Sequence, residues 1–577
     1  MLLQNTDRFQ ALLFPIRRFK DPAPHRGEEV EMIGKLIERT PSAYGHPLLI
    51  GGLLKSGVTR APEQEIVYAN RRRMTYRELG DRVARLASAL AGLGVGPGDT
   101  VGVMDWDTTR YLECFFAVPM VGAVLHTINV RLSPEQMLYT INHAEDDVIL
   151  VNSEFLPGLE QIWERVDPGK KLVLLNDSGR VPETPLPLEG EYETLLALSD
   201  PHFAFPELDE DTRATTFYTT GTTGLPKGVY FSHRQLVLHT LATRTALGGT
   251  GHGRINEGDV YMPITPMFHV HAWGMPYVAT TLGVKQVYPG RYHPDVLVEL
   301  IHREEVSFSH CVPTILQMVL ASARTKGLAL SGWKVVIGGA ALPQALARQA
   351  WELGADIFTG YGMSETCPIL TLAHLKPHME AWHIDRQAEI RCKTGRPVPL
   401  VEIRIVDEEM NDLPHDGVSQ GEVVVRAPWL TQGYLKDPIN SETLWAGGWL
   451  HTGDIAVIDD EGYLKITDRI KDVIKTGGEW VSSLDLEDLI LKHPGVVEAA
   501  VIGVPDPKWT ERPLAVVVVE PGRQVSEAEI KTHLQDFAAR GVISKYGVPD
   551  RIVFVDVLPK TSVGKLDKKV LRQKYPE

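Results

Sequence analysis

Apolar positions along the chain change their period twice. Between residues 70 and 160 they recur at helical spacing and then in short solid runs. Val83, Leu86, Leu90 and Leu93 mark one helix, with Thr75 in Met74-Thr-Tyr-Arg-Glu-Leu as its candidate cap. Gly94-Val-Gly-Pro-Gly-Asp ends that helix, and Val101-Gly-Val-Met begins a buried strand. A helix near Tyr111 to Val121, the strand at Ala123-Val-Leu-His-Thr, a helix near Pro134 to His143 and the strand Asp147-Val-Ile-Leu-Val repeat the alternation. Strands alternating with helices predict a parallel sheet with crossover connections. Residues 176 to 212, rich in Pro, Glu and Asp, read as a surface excursion. From Thr394 to Gly433 the period becomes two, as in Val401-Glu-Ile-Arg-Ile-Val and Gly421-Glu-Val-Val-Val-Arg, which predicts an antiparallel subdomain. Beyond it, a helix over Ser483 to Leu491, strands over Val496 to Gly503 and from Ala515, and a helix from about Ser526 describe a small α+β unit. The predicted fold is α/β. A large N-terminal domain of layered mixed and parallel sheets with helices carries a small antiparallel β-subdomain, and the α+β domain follows it.

One stretch fits no core. Tyr218-Thr-Thr-Gly-Thr-Thr-Gly-Leu-Pro-Lys-Gly-Val229 gathers hydroxyls, glycines and a lysine between a predicted strand and a helix running from about Ser232 to Leu247. Gly221 and Gly224 let backbone N–H groups approach a ligand, Thr219, Thr220, Thr222 and Thr223 add hydroxyls, and Lys227 adds a point charge. Such a set suits a polyphosphate, although polar surface loops share its composition. It is not a Walker A loop, because Lys227 follows Leu-Pro and no Ser or Thr follows it.

Composition narrows the classes. The chain has 577 residues, too many for one core, with 43% hydrophobic and 23% charged residues, as in ordinary globular proteins. Its net charge of −15 argues against a general nucleic-acid binder. Cys114, Cys311, Cys367 and Cys392 form no C-x-x-C pair, which excludes the common zinc spacings and fits a reducing compartment. The opening residues lack a basic region followed by a long apolar run, and no segment reaches the ~18 apolar residues of a membrane span. The expected location is the cytoplasm.

Further along, Tyr261-Met-Pro-Ile-Thr-Pro-Met-Phe-His-Val-His-Ala-Trp sets histidines among large apolar residues, which ordinarily marks core histidines. Val335-Val-Ile-Gly-Gly-Ala-Ala is a strand ending in glycines, placed where open α/β sheets bind ligands. In Ile357-Phe-Thr-Gly-Tyr-Gly-Met-Ser-Glu-Thr, Tyr361 can stack on a purine and Glu365 can bind a hard cation. Asp454 in Gly448-Trp-Leu-His-Thr-Gly-Asp could grip ribose hydroxyls or serve a turn.

Thr219 to Gly228 resembles the signature loop of the AMP-forming adenylating enzymes, which include acyl-CoA synthetases, adenylation domains and luciferases. The resemblance covers roughly residues 70 to 575 with its motifs in family order. It implies an ATP/AMP site formed by Thr219, Thr220, Gly221, Thr222, Thr223, Gly224, Lys227, Gly339, Ala340, Tyr361, Gly362, Met363, Ser364, Asp454 and Arg469, with Thr219 and Glu365 on Mg2+. It implies an acyl site at His269, Trp273, Gly338 and Gly339, with Trp273 gating a tunnel; plain core packing of that tryptophan is the alternative. Lys565, His269 and Lys475 are implied as catalytic. Gly477, Gly478, Glu479 and Trp480 are implied beside the pantetheine arm of coenzyme A, where a simple hairpin turn would be the plainer account. The resemblance divides the chain into an N-terminal extension (1–60), a large ATP- and acid-binding domain (61–468), a hinge (469–472) with Lys471 absorbing the backbone change, and a small mobile lid (473–577).

The implied reaction has two steps. An acid attacks the α-phosphorus of Mg-ATP to give acyl-AMP and pyrophosphate, and the thiol of coenzyme A then takes the acyl group. Ala123-Val-Leu-His-Thr-Ile-Asn129, Phe268-His-Val-His-Ala-Trp273 and Gly477-Gly-Glu-Trp480 look most like bacterial medium- and long-chain fatty acyl-CoA ligases. His271 departs from the asparagine expected in that pattern. A short or sulfur-containing acid such as methylthiopropionate, a carrier protein in place of coenzyme A, a luciferase-like oxidation and a silent nucleotide-binding protein are the alternatives. A homodimer through the N-terminal region is a further expectation from the resemblance alone.

Overall fold

The structure, a computed structural model, describes residues 34–35, 37–219, 225–249, 251–476, 479–561 and 565–576, with the backbone alone described at 479 and 480. The expectations for Thr220 to Gly224, Gly477, Gly478 and the side chains of Glu479 and Trp480 fall outside the described residues.

Local sequence signals set the helix ends. Thr75 accepts from the Glu78 backbone while the Glu78 carboxylate accepts from the Thr75 N–H, a reciprocal capping box at the start of Tyr76–Gly92. Ser232 and Gln235 do the same for His233–Gly248. Helix Thr109–Met120 is enclosed on nearly every face, consistent with its solid apolar run.

Among the described residues the strands form four sheets. The first runs in the order 188–191, 171–175, 148–152, 100–104, 124–127, 213–218, 228–232. It is parallel up to Arg213–Tyr218, and the last pair is an antiparallel hairpin whose tip is the glycine- and threonine-rich loop. The second has a parallel centre, 356–362, 334–337, 308–311, 260–263, 285–288 and 65–68, with antiparallel strands at both edges. One large apolar cluster spans both sheets, and helix Gly51–Arg60, placed by sequence in the N-terminal extension, contributes Leu53 and Leu54 to it.

The antiparallel subdomain exists but reaches further than its period-two stretch. Its strands are Glu402–Val406, Gly421–Arg426, Leu450–Ile458 and Leu464–Arg469. Asp454 and Arg469 are therefore strand residues, paired directly across the ladder. The stretch 176–212 needs correction, because it is not wholly an excursion. Leu188–Glu191 is the edge strand of the first sheet, and helix Tyr192–Leu198 packs beneath it. Tyr192 is fully buried and donates to Glu113, and Arg82 bridges Glu113 and Glu193. Pro and acid content hid a two-turn helix whose buried positions, Tyr192 and Leu196, are four apart.

The small domain is α+β, with strands Val496–Asp506, Thr510–Val519 and Arg551–Phe554 and helices Ser483–Leu491 and Glu527–Ala539. It docks through the start of helix Ser483–Leu491. The Ser483 N–H donates to Asp468 at 2.6 Å, the Ser482 hydroxyl donates to the Thr467 carbonyl, and Lys465 pairs with Asp485 at 2.7 Å. Among the described residues no helix is long and apolar enough to cross a membrane.

Candidate active site

The site lies at the C-terminal ends of the parallel strands of the second sheet, where side chains converge without disturbing the ladder. Strand Val260–Pro263 leads into the Thr265–Gly274 segment, strand Lys334–Ile337 into Gly338-Gly-Ala, and strand Asp356–Gly362 carries Tyr361. A cavity of about 40 Å³ is lined by His269, Trp273, Gly339, Arg131, Tyr292 and Lys565, among others. The chain's last loop thus meets the large domain at the acid side of the candidate site. Gly339 has φ +79°, and a Cβ there would stand 3.2 Å from the Lys565 Cε and 3.1 Å from Val312, so the glycine leaves room for the lysine.

Lys565 is held from its own loop. Thr561 donates its N–H to the Lys565 carbonyl at 2.7 Å, and the Thr561 hydroxyl accepts from the Lys565 N–H at 3.2 Å. Burial, then the Arg469 guanidinium, push the Lys565 ammonium down to about 8, while Asp454 and Glu365 act against the shift. His269 is pushed to about 3, first by burial and then by Lys565 and Arg131, so its imidazole is neutral near pH 7.

The segment bearing His269 has an unusual backbone. Val270, His271, Ala272, Trp273 and Gly274 all have positive φ, between +47° and +71°, which makes a left-handed turn. For non-glycine residues this costs roughly 1–2 kcal/mol each, so the surroundings must hold it. The His271 ring is wholly buried, edge-on to Phe115 at 5.8 Å and Phe217 at 5.1 Å. Neither His271 ring nitrogen has a hydrogen-bond partner among the described residues, and burial lowers its pKa to about 3. Trp273 rests on the bare face of Gly338, where a Cβ would lie 3.0 Å from the indole, and tilts against His310 at 5.1 Å. Gly274 abuts His239, with 2.8 Å between its would-be Cβ and the ring.

The nucleotide side is built from polar pairs. The Tyr361 hydroxyl donates to Asp454 Oδ2 at 2.7 Å, and Arg469 Nε lies 3.1 Å from Asp454 Oδ1. Glu365, nearly buried, accepts from the Tyr434 hydroxyl at 2.8 Å, and the Lys227 ammonium sits 4.5 Å from the centre of the Tyr434 ring. Thr219 and Lys227 close the base of the threonine-rich loop, the Thr219 N–H donating to the Lys227 carbonyl at 2.9 Å. Gly362, Met363 and Ser364 follow in the same segment, and a Cβ at Gly362 would overlap the Pro368 carbonyl. Ala340 is exposed beside Gly339. Glu365 and the Thr219 hydroxyl offer hard oxygen donors of the kind a divalent cation such as Mg2+ takes; burial raises the Glu365 pKa, opposed by the Tyr434 hydrogen bond and by Arg469 and Lys227. Lys475 stands exposed in the hairpin of Ile474–Thr476 with Glu479–Val481 and does not line the acid cavity, and Lys471 is exposed just past the last large-domain strand.

Three polar contributors escaped the sequence reading. Arg131 and Tyr292 lie outside any glycine or histidine motif, and Tyr434 follows the antiparallel stretch with nothing to mark it. An isolated arginine or tyrosine just past a strand is the only signal each leaves.

Comparison with known proteins follows the same geography. Residues 54–435 match the AMP-binding enzyme family, and residues 485–565 match the AMP-binding enzyme C-terminal domain. A long-chain-fatty-acid–CoA ligase of Thermus thermophilus is 43% identical over 96% of this chain and 97% of its own length. A 3-methylmercaptopropionyl-CoA ligase of Ruegeria lacuscaerulensis is 41% identical over 92% of this chain and 98% of its own. Among solved structures, the anthranilate CoA ligase AuaEII in complex with anthranoyl-AMP superposes with a TM-score of 0.80 at 26% identity, covering 92% of this chain and 98% of that one. With both of its domains matched in order and a relative aligned over nearly its whole length, the chain belongs to the AMP-binding enzyme family.

Proposed function

We propose that the protein is an AMP-forming acid–CoA ligase that activates a medium- or long-chain fatty acid and passes the acyl group to coenzyme A. The observation that carries this reading is Lys565 beside Gly339 and His269, with Asp454, Arg469 and Tyr361 alongside. The relatives that act on fatty acids and on 3-methylmercaptopropionate support the acid and the thiol acceptor.

In the first step the carboxylate enters beside neutral His269, and its oxygen attacks the α-phosphorus of ATP as pyrophosphate leaves. Negative charge accumulates between carboxylate and phosphate, where the Lys565 ammonium stabilises it at short range in a partly dehydrated site. Asp454 takes the ribose hydroxyls in place of its present partners, and Tyr361 stacks on the purine. A divalent cation at Glu365 and Thr219 would offset phosphate charge when bound. In the second step the small domain turns about residues 469–472, withdrawing Lys565, and the thiol displaces AMP from the acyl-adenylate. The chemistry needs no cysteine or serine nucleophile. The cytoplasm is the proposed location, and a homodimer the proposed assembly.

A second reading has an observation of its own. About 40 Å³ holds on the order of three waters, so with Trp273 as placed the cavity suits a short acid. Pyrophosphate release from Mg-ATP across straight-chain acids from propionate to palmitate, with and without coenzyme A, separates the readings. A CoA-dependent optimum at medium or long chains supports the first, and an optimum at propionate or methylthiopropionate supports the second. Release indifferent to coenzyme A points to a carrier protein, and no release with any acid overturns the ligase assignment.

A further inference from the structure

We propose that Asp107 is a positioning residue that fixes the wall of the acid cavity, and through it which acids fit, by tying Tyr292 to the segment that carries His269 and Trp273. The inference rests on the ligase reading above and adds to it a specificity element outside the cavity.

Asp107 follows the central strand Thr100–Met104 of the first sheet and is 2% exposed. All three of its acceptor oxygens are used, each by the second sheet. Its carbonyl accepts from the Gly290 N–H at 2.8 Å. Its Oδ1 accepts from the Met267 N–H at 2.9 Å, and its Oδ2 from the Tyr292 hydroxyl at 2.5 Å. The donors come from two separate strand ends. Met267 lies past Val260–Pro263 and two residues before His269, while Gly290 and Tyr292 lie past Lys285–Tyr288. Tyr292 and His269 both line the cavity, so one carboxylate spans two of its walls.

Two further facts give the brace its meaning. The segment it grips at Met267 runs directly into the left-handed turn of Val270–Gly274, which holds only while its ends are fixed. The Thr127 hydroxyl makes a further backbone tie there, donating to the Phe268 carbonyl at 2.9 Å. A carboxylate is also an expensive choice for a merely structural brace. Burial raises the Asp107 pKa to about 7, opposed by the Tyr292 and Met267 hydrogen bonds and by Arg131. An amide of the same shape could keep both contacts without that cost, its oxygen accepting from the Met267 N–H and its NH2 donating to the Tyr292 hydroxyl oxygen, which makes Asp107→Asn the natural rescue variant.

The test is kcat/KM for butyrate, octanoate and palmitate, with the KM for ATP, in wild type, Asp107→Ala, Asp107→Asn and Tyr292→Phe. Removing the carboxylate frees both walls, so in Asp107→Ala the palmitate-to-butyrate ratio is expected to rise about tenfold, the scale of one charge-assisted hydrogen bond. The KM for ATP should stay within about twofold, since no nucleotide contact changes. Tyr292→Phe should shift the ratio the same way by a smaller factor, and Asp107→Asn should restore it toward wild type. If Asp107→Ala fails to fold, Tyr292→Phe and Asp107→Asn decide the matter. An active enzyme whose ratio is untouched in the folded variants, with all acids losing equally, overturns the inference alone. A wild type silent toward every acid overturns the ligase reading and this inference with it.

Discussion

The two halves of the candidate site are built on opposite principles. On the nucleotide side, hydrogen bonds and an ion pair hold Tyr361, Asp454 and Arg469 together, and a hydrogen bond holds Glu365 to Tyr434. On the acid side, Trp273, His271 and Gly274 are held by packing, and the backbone departs from any regular form over five residues. A nucleotide is the same in every turnover, so a rigid polar template suits it. An acid pocket must refuse most carboxylates, and strain held by close packing gives shape selectivity that hydrogen bonds alone do not.

This contrast can be broken or sharpened by measurement. The largest effect is expected where the halves meet. Lys565→Ala should slow pyrophosphate release by about 10²–10³-fold, the scale of losing one preorganised charge stabiliser. Thioester formation from supplied acyl-AMP should be largely spared, and equal loss in both half-reactions would remove the assigned role. Next, Asp454→Ala should lower kcat/KM for ATP by roughly 10–100-fold through lost ribose contacts and an unpaired Arg469, with little change in the ranking of acids. If the ranking moved as far as the ATP term, the two halves would not be separable.

A pH series gives a smaller effect. With the Lys565 ammonium at about 8, the charged form is present below that pH and lost as pH rises through it. The kcat/KM of pyrophosphate release should therefore fall about tenfold per unit above that point. Lys565→Arg, which cannot deprotonate in range, should remove this limb even if its rate is poor. A limb that persists in the arginine variant would belong to another group. The smallest effect is expected at the end of the strained turn. Gly274→Ala puts a methyl against His239 at positive φ and should cost about 1–2 kcal/mol in denaturant unfolding. Acid turnover should suffer more than ATP binding. An unchanged midpoint would mean the turn relaxes freely and is not held by its neighbours.

The same contrast governs what could be read in advance. Alternating helices and strands, the cap at Thr75, and the small α+β domain were visible because period and cap chemistry are local. The family and the two-domain layout follow from motif order, and both agree with the comparisons. Helix Tyr192–Leu198 was missed because Pro and acidic residues around it outweigh two buried positions. The acid side was legible only as a run of unusual residues. Nothing in Phe268-His-Val-His-Ala-Trp encodes a left-handed turn, because the cage that permits it comes from Phe115, Phe217 and His239, far away in the chain. Arg131, Tyr292 and Tyr434 were invisible for the same reason: their roles depend on which strand ends the sheet order brings together.

Lys565 follows every other residue of the acid cavity in chain order, and it reaches them from a loop closed by Thr561. On the role proposed for Lys565, a nascent chain emerging from the ribosome presents every other residue of the cavity before the cation for the first step is made. On that reading adenylation waits for the last loop, and no reactive mixed anhydride forms before the domain that consumes it exists.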